Sequence, residues 1–321
     1  EPEGARIRES KLVAARGGFD EVVRKLRAAG PTLLASAADK NVAVVGGGPA
    51  GMEAARLLRE RGHEVDLYEK RKLGGTMHEA AFDLELKGDI KRLIDYYAVQ
   101  MDKLGVNVIR EEATAQGVIE KGYDAVIVAV GAEQAVPPIP GIDGKNVVMA
   151  WDVFSNEDKM GENIVVVGGG SVGCELSIQL GGKGHEVTVV EMTKWLAANS
   201  QISERMSLEE HMIKNGVQVH VDCLCTEITP EGVAGKDKDG NNVFFKADTV
   251  IISAGSRPLA ELRDSFQGTA FDVINAGDCM GPANIRNATD TGWCAGNIGK
   301  SNNLVAYRSS SSCMVFFIWH C

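Results

Sequence analysis

The sequence predicts an α/β fold made of two similar units, each a parallel sheet with helices on its faces. The first observation is a repeated Gly-x-Gly-x-x-Gly motif, found at Gly46–Gly51 and again at Gly168–Gly173. The second is that an apolar, β-branched run precedes each motif, as expected of parallel strands buried on both faces. The third is an acid at the same spacing from each motif, Glu69 and Glu191. Features that recur at one spacing indicate a repeated folding unit.

Each copy predicts a strand, a tight turn, a helix and a second strand. The first glycine of the motif permits the turn, the second lets backbone approach a pyrophosphate, and the third lets helix and strand pack closely. The helix N-terminus offers free N–H groups and a positive dipole end to phosphates. The acid that ends the second strand can accept hydrogen bonds from a ribose. Packing alone would explain the glycines but not the two acids, so we predict two Rossmann-like dinucleotide-binding domains.

The copies also resemble each other further along the chain. A run with apolar residues at helical spacing turns into a strand at Gly105, and a similar run does so at Gly216. Two buried-strand patterns then end at Gly131 and Gly255, where small residues let backbone pass close to a ligand. Each unit is therefore expected to add a helix and further parallel strands to its sheet.

Composition excludes several classes of function. A formal net charge of -10 argues against a nucleic-acid partner. No apolar run is long enough for a transmembrane helix, so no membrane partner is expected. The seven cysteines include no C-x-x-C, which favours reduced thiols and a cytoplasmic protein. Cys223 and Cys225 lie in a strand-like run and are predicted to be buried, and no metal site is predicted.

With these motifs in view, the sequence resembles the flavoproteins that have two dinucleotide-binding domains. The stretch "VINAGDCMG" (273–281) looks like the second FAD motif of that family. The resemblance implies that the first unit holds FAD and that the second unit, inserted into the first, holds NAD(P)H. It also implies that Asp278 binds the ribityl chain and that backbone near Ala288 lies beside the flavin.

This resemblance divides the chain into segments. Residues 41–150 and 252–300 are assigned to a discontinuous FAD-binding domain, and residues 151–251 to an NAD(H)-binding domain. Residues 1–40 are expected to form a helical or linker segment, and residues 301–321 a disordered tail.

The expected cofactor contacts follow from the motifs and the resemblance. The residues expected to bind FAD are Gly46, Gly48, Pro49, Ala50, Gly51, Glu69, Lys70, Gly74, Gly75, Thr76, Ala113, Gly131, Asp278 and Ala288. The residues expected to bind NADH are Gly168, Gly170, Ser171, Val172, Gly173, Glu191 and Gly255. No catalytic side chain is predicted, because the cofactors carry the hydride chemistry and the protein positions them.

A narrower resemblance comes from "KLGGTMHEAA" and "YDAVIVAVGAEQAVPPIPGIDG". They look like the C-terminal half of the 2-enoate reductase and 2,4-dienoyl-CoA reductase flavoenzymes. In that family an old-yellow-enzyme barrel with FMN and an iron–sulfur cluster precedes this half. The resemblance implies that such a barrel domain or subunit accepts the electrons and uses them to reduce an activated C=C bond. No cysteine precedes Cys174, so a four-cysteine cluster site is not expected in this chain.

Other functions stay open at this level. Disulfide reductases of the wider family carry a cysteine pair that this sequence lacks, which disfavours that function. The first unit could instead hold ADP as a structural ligand, or the chain could be an electron-transfer subunit of a larger complex. The sequence also leaves oligomerisation open.

The second unit is expected to prefer NADH over NADPH. Glu191 can accept hydrogen bonds from both ribose hydroxyls, and its charge would repel a 2′-phosphate. Lys194 is the one nearby cation, and phosphate recognition more often uses the planar fork of an arginine.

Overall fold

The computed structural model describes residues 40–81, 84–153 and 155–297. The predicted N-terminal segment, apart from Lys40, and the predicted tail lie outside the described residues. Within the described ranges, no helix has the length and hydropathy that a membrane crossing needs.

The strands run in chain order as follows: β1 (Asn41–Val45), β2 (Glu64–Tyr68), β3 (Asn107–Ile109), β4 (Ala125–Val128), β5 (Ala132–Gln134), β6 (Val147–Met149), β7 (Asn163–Val167), β8 (Glu186–Val190), β9 (Gln218–His220), β10 (Leu224–Thr229), β11 (Gly232–Lys236), β12 (Asn242–Lys246), β13 (Thr249–Ile252), β14 (Ser256–Pro258) and β15 (Asp272–Asn275). The α-helices are α1 (Pro49–Glu60), α2 (Met77–Ala80), α3 (Leu84–Lys103), α4 (Ala115–Lys121), α5 (Ser171–Gly182), α6 (Ile202–Lys214), α7 (Ala260–Ser265) and α8 (Ile285–Asn297).

The first sheet has the order β15-β4-β1-β2-β3, and all its strand pairs are parallel. Side chains of β1 alternate between its two faces, because successive residues of a strand point to opposite sides. Val42 and Val44 pack under α1, α3 and α8, whereas Ala43 and Val45 pack towards α4 and Phe266. Strand β15 joins this sheet only after the whole second unit, which confirms the predicted insertion.

The second sheet has the order β6-β13-β7-β8-β9 and is also parallel. One face of β7 packs against α5 and α6, and the other packs against an antiparallel sheet of β10, β11 and β12. The predicted α/β class with parallel sheets is confirmed. Cys223 and Cys225 are buried where the small antiparallel sheet covers the second unit.

One strand, β6, falls in a different unit from the one that the predicted division gave it. Strand β6 pairs with β13, so Val147–Met149 lies in the second sheet although the division at residue 150 gave it to the first unit. The physical reason is that β6 completes the apolar edge of the second sheet beside Val250 and Ile252. Strands β5 and β14 pair as an antiparallel ribbon where the chain leaves and re-enters the first unit.

Candidate functional site

The first glycine motif forms a backbone turn in which Gly46 and Gly51 leave no room for a Cβ. We refer to Gly46–Gly51 as the first cradle. Gly46 has a φ of +107°, in the region that favours glycine, and an added Cβ would lie 2.3 Å from the carbonyl oxygen of Ala129. A Cβ on Gly51 would lie 1.9 Å from the carbonyl oxygen of Gly46. These two glycines therefore allow strand, turn and helix to pack closely.

Gly48 has a different environment from Gly46 and Gly51. It caps α1 in an extended conformation, and an added Cβ would meet only the Cα of Gly75, at 4.0 Å. Pro49 takes the first helical position, where its missing N–H costs nothing. The open side of Gly48 and the N-terminus of α1 are therefore available to a phosphate group.

A second glycine segment folds back onto this turn. The N–H of Gly74 donates to the carbonyl of Gly47 at 2.8 Å. Gly75 has a φ of +53°, and an added Cβ would lie 2.9 Å from the Cα of Gly48. Glycine at both positions lets two backbone segments face each other at close range.

Glu69 is held in place before any ligand arrives. Its Oε2 accepts a hydrogen bond from the N–H of Gly47 at 2.8 Å, and its Oε1 accepts one from the N–H of Arg71 at 2.6 Å. The residue is buried, yet each carboxylate oxygen has a further lone pair. A ribose hydroxyl can therefore donate to a carboxylate whose position the backbone already fixes.

These groups line one cavity of about 520 Å³. A volume of this size is typical of a small-molecule or cofactor site. The predicted FAD contacts that line it are Gly46, Gly48, Pro49, Ala50, Glu69, Lys70, Gly75, Thr76, Ala113, Gly131, Asp278 and Ala288. Gly51 packs against the backbone of Gly46, and Gly74 donates its N–H to Gly47 beside the side chain of His78; neither glycine lines the wall.

Asp278 enters the cavity from a short 3₁₀ turn, Gly277–Cys279, that follows β15. Its Oδ1 accepts one long hydrogen bond of 3.5 Å from the N–H of Ala283. Burial raises the pKa of this carboxyl group above its ordinary value. A ligand that carries hydroxyl donors would satisfy this carboxylate, so the site fits the ribityl chain of a flavin.

Ala288 reaches the cavity because α8 lies very close to α1. A Cβ on Gly292 would stand 2.2 Å from the carbonyl oxygen of Ala50, so only glycine permits this approach. Ala288 itself is buried on the same helix and lines the cavity.

Part of the cavity wall was not predicted from the sequence. The ribbon contributes Gln134, the second unit contributes Met149 and Trp151, and α7 with the residue before it contributes Leu262 and Leu259. The amide oxygen of Gln134 accepts a hydrogen bond of 2.7 Å from the N–H of Trp151, which holds the two units together at this wall. No motif marks these residues, because folding alone brings their segments together.

The second glycine motif repeats this geometry; we refer to Gly168–Gly173 as the second cradle. Gly168 has a φ of +109°, and a Cβ on Gly173 would lie 2.1 Å from its carbonyl oxygen. A Cβ on Gly170 would meet nothing within 4 Å, so this residue is open to a ligand. Ser171, which begins α5, shares a hydrogen bond of 2.7 Å with Ser200.

Glu191 is held in the same way as Glu69. It accepts hydrogen bonds of 2.7 Å from the N–H of Gly169 and from the N–H of Thr193. The N–H of Ala197 donates to the carbonyl of Gly169 at 2.8 Å and closes the loop beside the second cradle.

The remaining predicted NADH contacts lie near this loop or at the end of β13. Val172 is exposed on the first turn of α5, and Gly255 has a φ of +85° just after β13. None of the predicted NADH contacts lines the 520 Å³ cavity.

The cation nearest in sequence to Glu191 has an aromatic neighbour. The Nζ of Lys194 lies 4.9 Å from the ring centroid of Trp195, and the Cζ of Arg205 lies 4.8 Å from the same centroid. Arg205 was not among the predicted residues, since α6 brings it to this loop.

One ion pair joins the two units beside the second cradle. Lys87 on α3 donates to a carboxylate oxygen of Glu175, which lies on α5 two residues after Gly173. Both side chains are about one-fifth exposed, so water screens the pair only partly.

The fold and these two cradles define an oxidoreductase with two dinucleotide-binding domains. Residues 40–292 match the sequence profile of the pyridine nucleotide-disulphide oxidoreductases, and the chain belongs to that family. Members of this family are flavin-dependent enzymes that use NAD(P)H.

Three relatives narrow the comparison. The chain is 36% identical over 261 residues to an NADH oxidase of Thermoanaerobacter brockii. The aligned region covers 79% of this chain and 40% of the relative. It is 32% identical over 271 residues to a cinnamate reductase of Clostridium sporogenes. That aligned region covers 82% of this chain and 39% of the relative. A solved structure of 2-naphthoyl-CoA reductase with 2-naphthoyl-CoA matches with a TM-score of 0.76 at 30% identity, over 82% of this chain and 41% of that one. The predicted resemblance to the 2-enoate reductase family is confirmed, and the chain spans about two-fifths of these relatives.

The family name refers to a disulphide, but no cysteine lines the cavity described here. Cys174, Cys223, Cys225 and Cys279 are all buried. Burial raises the pKa of Cys174 to about 12 and that of Cys225 to about 11. Thiols of this kind are poor nucleophiles, since the thiolate is the reactive form.

Proposed function

We propose that this chain is the NADH-dependent flavoprotein part of a reductase, in which FAD occupies the cavity of the first unit and NADH binds the second cradle. One observation carries the proposal. The cavity brings together the backbone of Gly48, the carboxylate of Glu69 and the carboxylate of Asp278, from three distant segments. These are an anion site, a ribose acceptor and a polyol acceptor, in keeping with the three polar parts of FAD.

The residues of the first unit would bind and orient the cofactor. Free N–H groups at the start of α1 would donate to the pyrophosphate, and the open side of Gly48 would let it approach. Glu69 would accept from the adenosine ribose and Asp278 from the ribityl hydroxyls. Bound FAD supplies the redox chemistry, because a flavin accepts a hydride and passes its electrons on.

The second cradle would bind the pyridine nucleotide. Gly170 and the N-terminus of α5 are open to a pyrophosphate, and Glu191 is fixed as a ribose acceptor. The charge of Glu191 supports NADH over NADPH, because a 2′-phosphate would meet a carboxylate. The protein assists hydride transfer by positioning the two bound cofactors and by excluding water from them.

The electron acceptor would lie outside this chain. The relatives are about twice as long, and two of them are named for the reduction of cinnamate and of 2-naphthoyl-CoA. These names support an acceptor that reduces an activated C=C bond, such as that of a 2-enoate or an enoyl-CoA. The resemblance to the 2-enoate reductase family implies that this acceptor is a domain or subunit with FMN and an iron–sulfur cluster.

Anaerobic addition of NADH to the purified protein tests the proposal. We expect a yellow protein with the visible band of oxidised flavin, and we expect NADH to bleach it. A colourless protein that retains ADP would show that the first unit is a structural nucleotide site. Rapid reduction of cinnamate by this chain alone would show that the acceptor site lies within it.

A further inference from the structure

Arg263 contacts the backbone of the turn that carries Asp278. Its Nη1 donates to the carbonyl oxygen of Cys279 at 2.8 Å, one residue beyond Asp278. The other side of the guanidinium binds the neighbouring Asp264, with Nε at 2.7 Å and Nη2 at 3.0 Å from its two carboxylate oxygens. The planar fork of arginine is suited to holding two acceptors in one fixed geometry.

Arg263 belongs to a segment that also contributes to the cavity wall. Arg263 lies on α7, which follows the ribbon strand β14 as the chain returns from the second unit. Leu259 and Leu262 of the same segment line the cavity, and the N–H of Leu259 donates to the carbonyl of Gly131 at 3.2 Å. The segment therefore contacts the ribbon, the cavity wall and the turn of Asp278.

Other contacts hold the turn from its far side. The N–H of Gly277 donates to the hydroxyl of Thr291 on α8 at 2.8 Å. The thiol of Cys279 donates to the carbonyl of Val128 at 3.3 Å. These bonds hold the first residue of the turn and the side chain of its last residue, whereas Arg263 holds the backbone carbonyl of that last residue.

We infer that Arg263 is a positioning residue that holds Asp278 in the orientation required to bind the ribityl chain of the flavin. The inference rests on the proposed function, because it needs FAD in the cavity. Without the arginine, the turn would sample conformations in which Asp278 points elsewhere. Apparent affinity falls by the fraction of time that the binding-competent conformation is populated.

The test uses cofactor-free protein of the full chain, titrated with FAD and followed by flavin fluorescence. Arg263→Met keeps an apolar stem of similar length but removes the donors, and we expect FAD binding to weaken about tenfold. Arg263→Lys keeps one charged donor and should recover part of the affinity. Arg92→Met is the matched control, because Arg92 forms an ion pair with Asp89 in which both side chains are more than four-fifths exposed.

A double-mutant cycle separates positioning from general destabilisation. If Arg263 acts through Asp278, then Asp278→Asn combined with Arg263→Met should bind FAD about as well as Asp278→Asn alone. The inference would be overturned if the double variant lost as much FAD affinity as the two single variants together. It would also be overturned if Arg263→Met bound FAD with wild-type affinity. Failure of the wild-type protein to bind FAD would instead overturn the proposed function.

Discussion

Replacing Gly48 with valine separates the function of the first cradle from its fold. The backbone of Gly48 is extended, with φ of −76° and ψ of −176°, which valine adopts readily. A Cβ there would meet only one atom, the Cα of Gly75 at 4.0 Å. We therefore expect the unfolding free energy of the cofactor-free protein to change by less than about 1 kcal/mol.

The effect on the cofactor should be much larger. The valine side chain would project into the space where a pyrophosphate meets the N–H groups at the start of α1. A hydrogen bond to a charged group contributes about 1.5–3 kcal/mol, so losing two would weaken FAD binding by roughly 3–6 kcal/mol. That corresponds to roughly a hundredfold to more than ten-thousandfold in the dissociation constant.

The assay compares flavin content with the melting temperature of the cofactor-free protein. Gly48→Val should be colourless and folded, whereas Gly51→Ala should fail to fold because its Cβ would lie 1.9 Å from a carbonyl oxygen. Gly170→Val is the matched control in the second cradle, where a Cβ meets nothing within 4 Å. It should keep its flavin but lose reduction by NADH. Stoichiometric flavin in purified Gly48→Val would refute the assignment of the first cradle.

Three further predictions concern single residues. Glu191→Ala should narrow the preference for NADH, expected at about tenfold to a hundredfold, mainly by slowing flavin reduction by NADH; wild-type protein reduced equally fast by NADPH would contradict this. Asp278→Asn should stabilise the cofactor-free protein at neutral pH, because burial raises the pKa of Asp278 and the charged form is the costly one; the gain in melting temperature should vanish as the pH falls and Asp278 becomes protonated. Ala197→Gly should raise the unfolding free energy by about 0.5–1 kcal/mol, because Ala197 has a φ of +43°, which is strained for a residue with a Cβ. A lower unfolding free energy in urea denaturation would mean that the packing of the alanine methyl group outweighs this strain.

The sequence predicted the repeated part of this protein well. Each cradle is built from residues adjacent in the chain, and the reasons for their glycines are local: a positive φ at Gly46 and close backbone approach at Gly51. The acid of each unit ends the strand beside the cradle, so regular strand spacing was enough to place it. Continuous apolar, β-branched runs predicted the strands and helical spacing predicted α3 for the same reason, since both patterns extend over a few neighbouring residues.

The tertiary structure decided how these parts meet. Strand β6 completes the second sheet because of its pairing with β13, about a hundred residues later, and no local pattern specifies that choice. The cavity wall from Gln134 and Trp151 exists only because the units pack together, as does the contact of Arg263 with the turn of Asp278. The motifs can be found in the sequence because a dinucleotide requires a local backbone geometry that fixes the spacing of neighbouring residues. Contacts between distant segments leave no such spacing in the chain, because their geometry is fixed only when the core of each unit has formed.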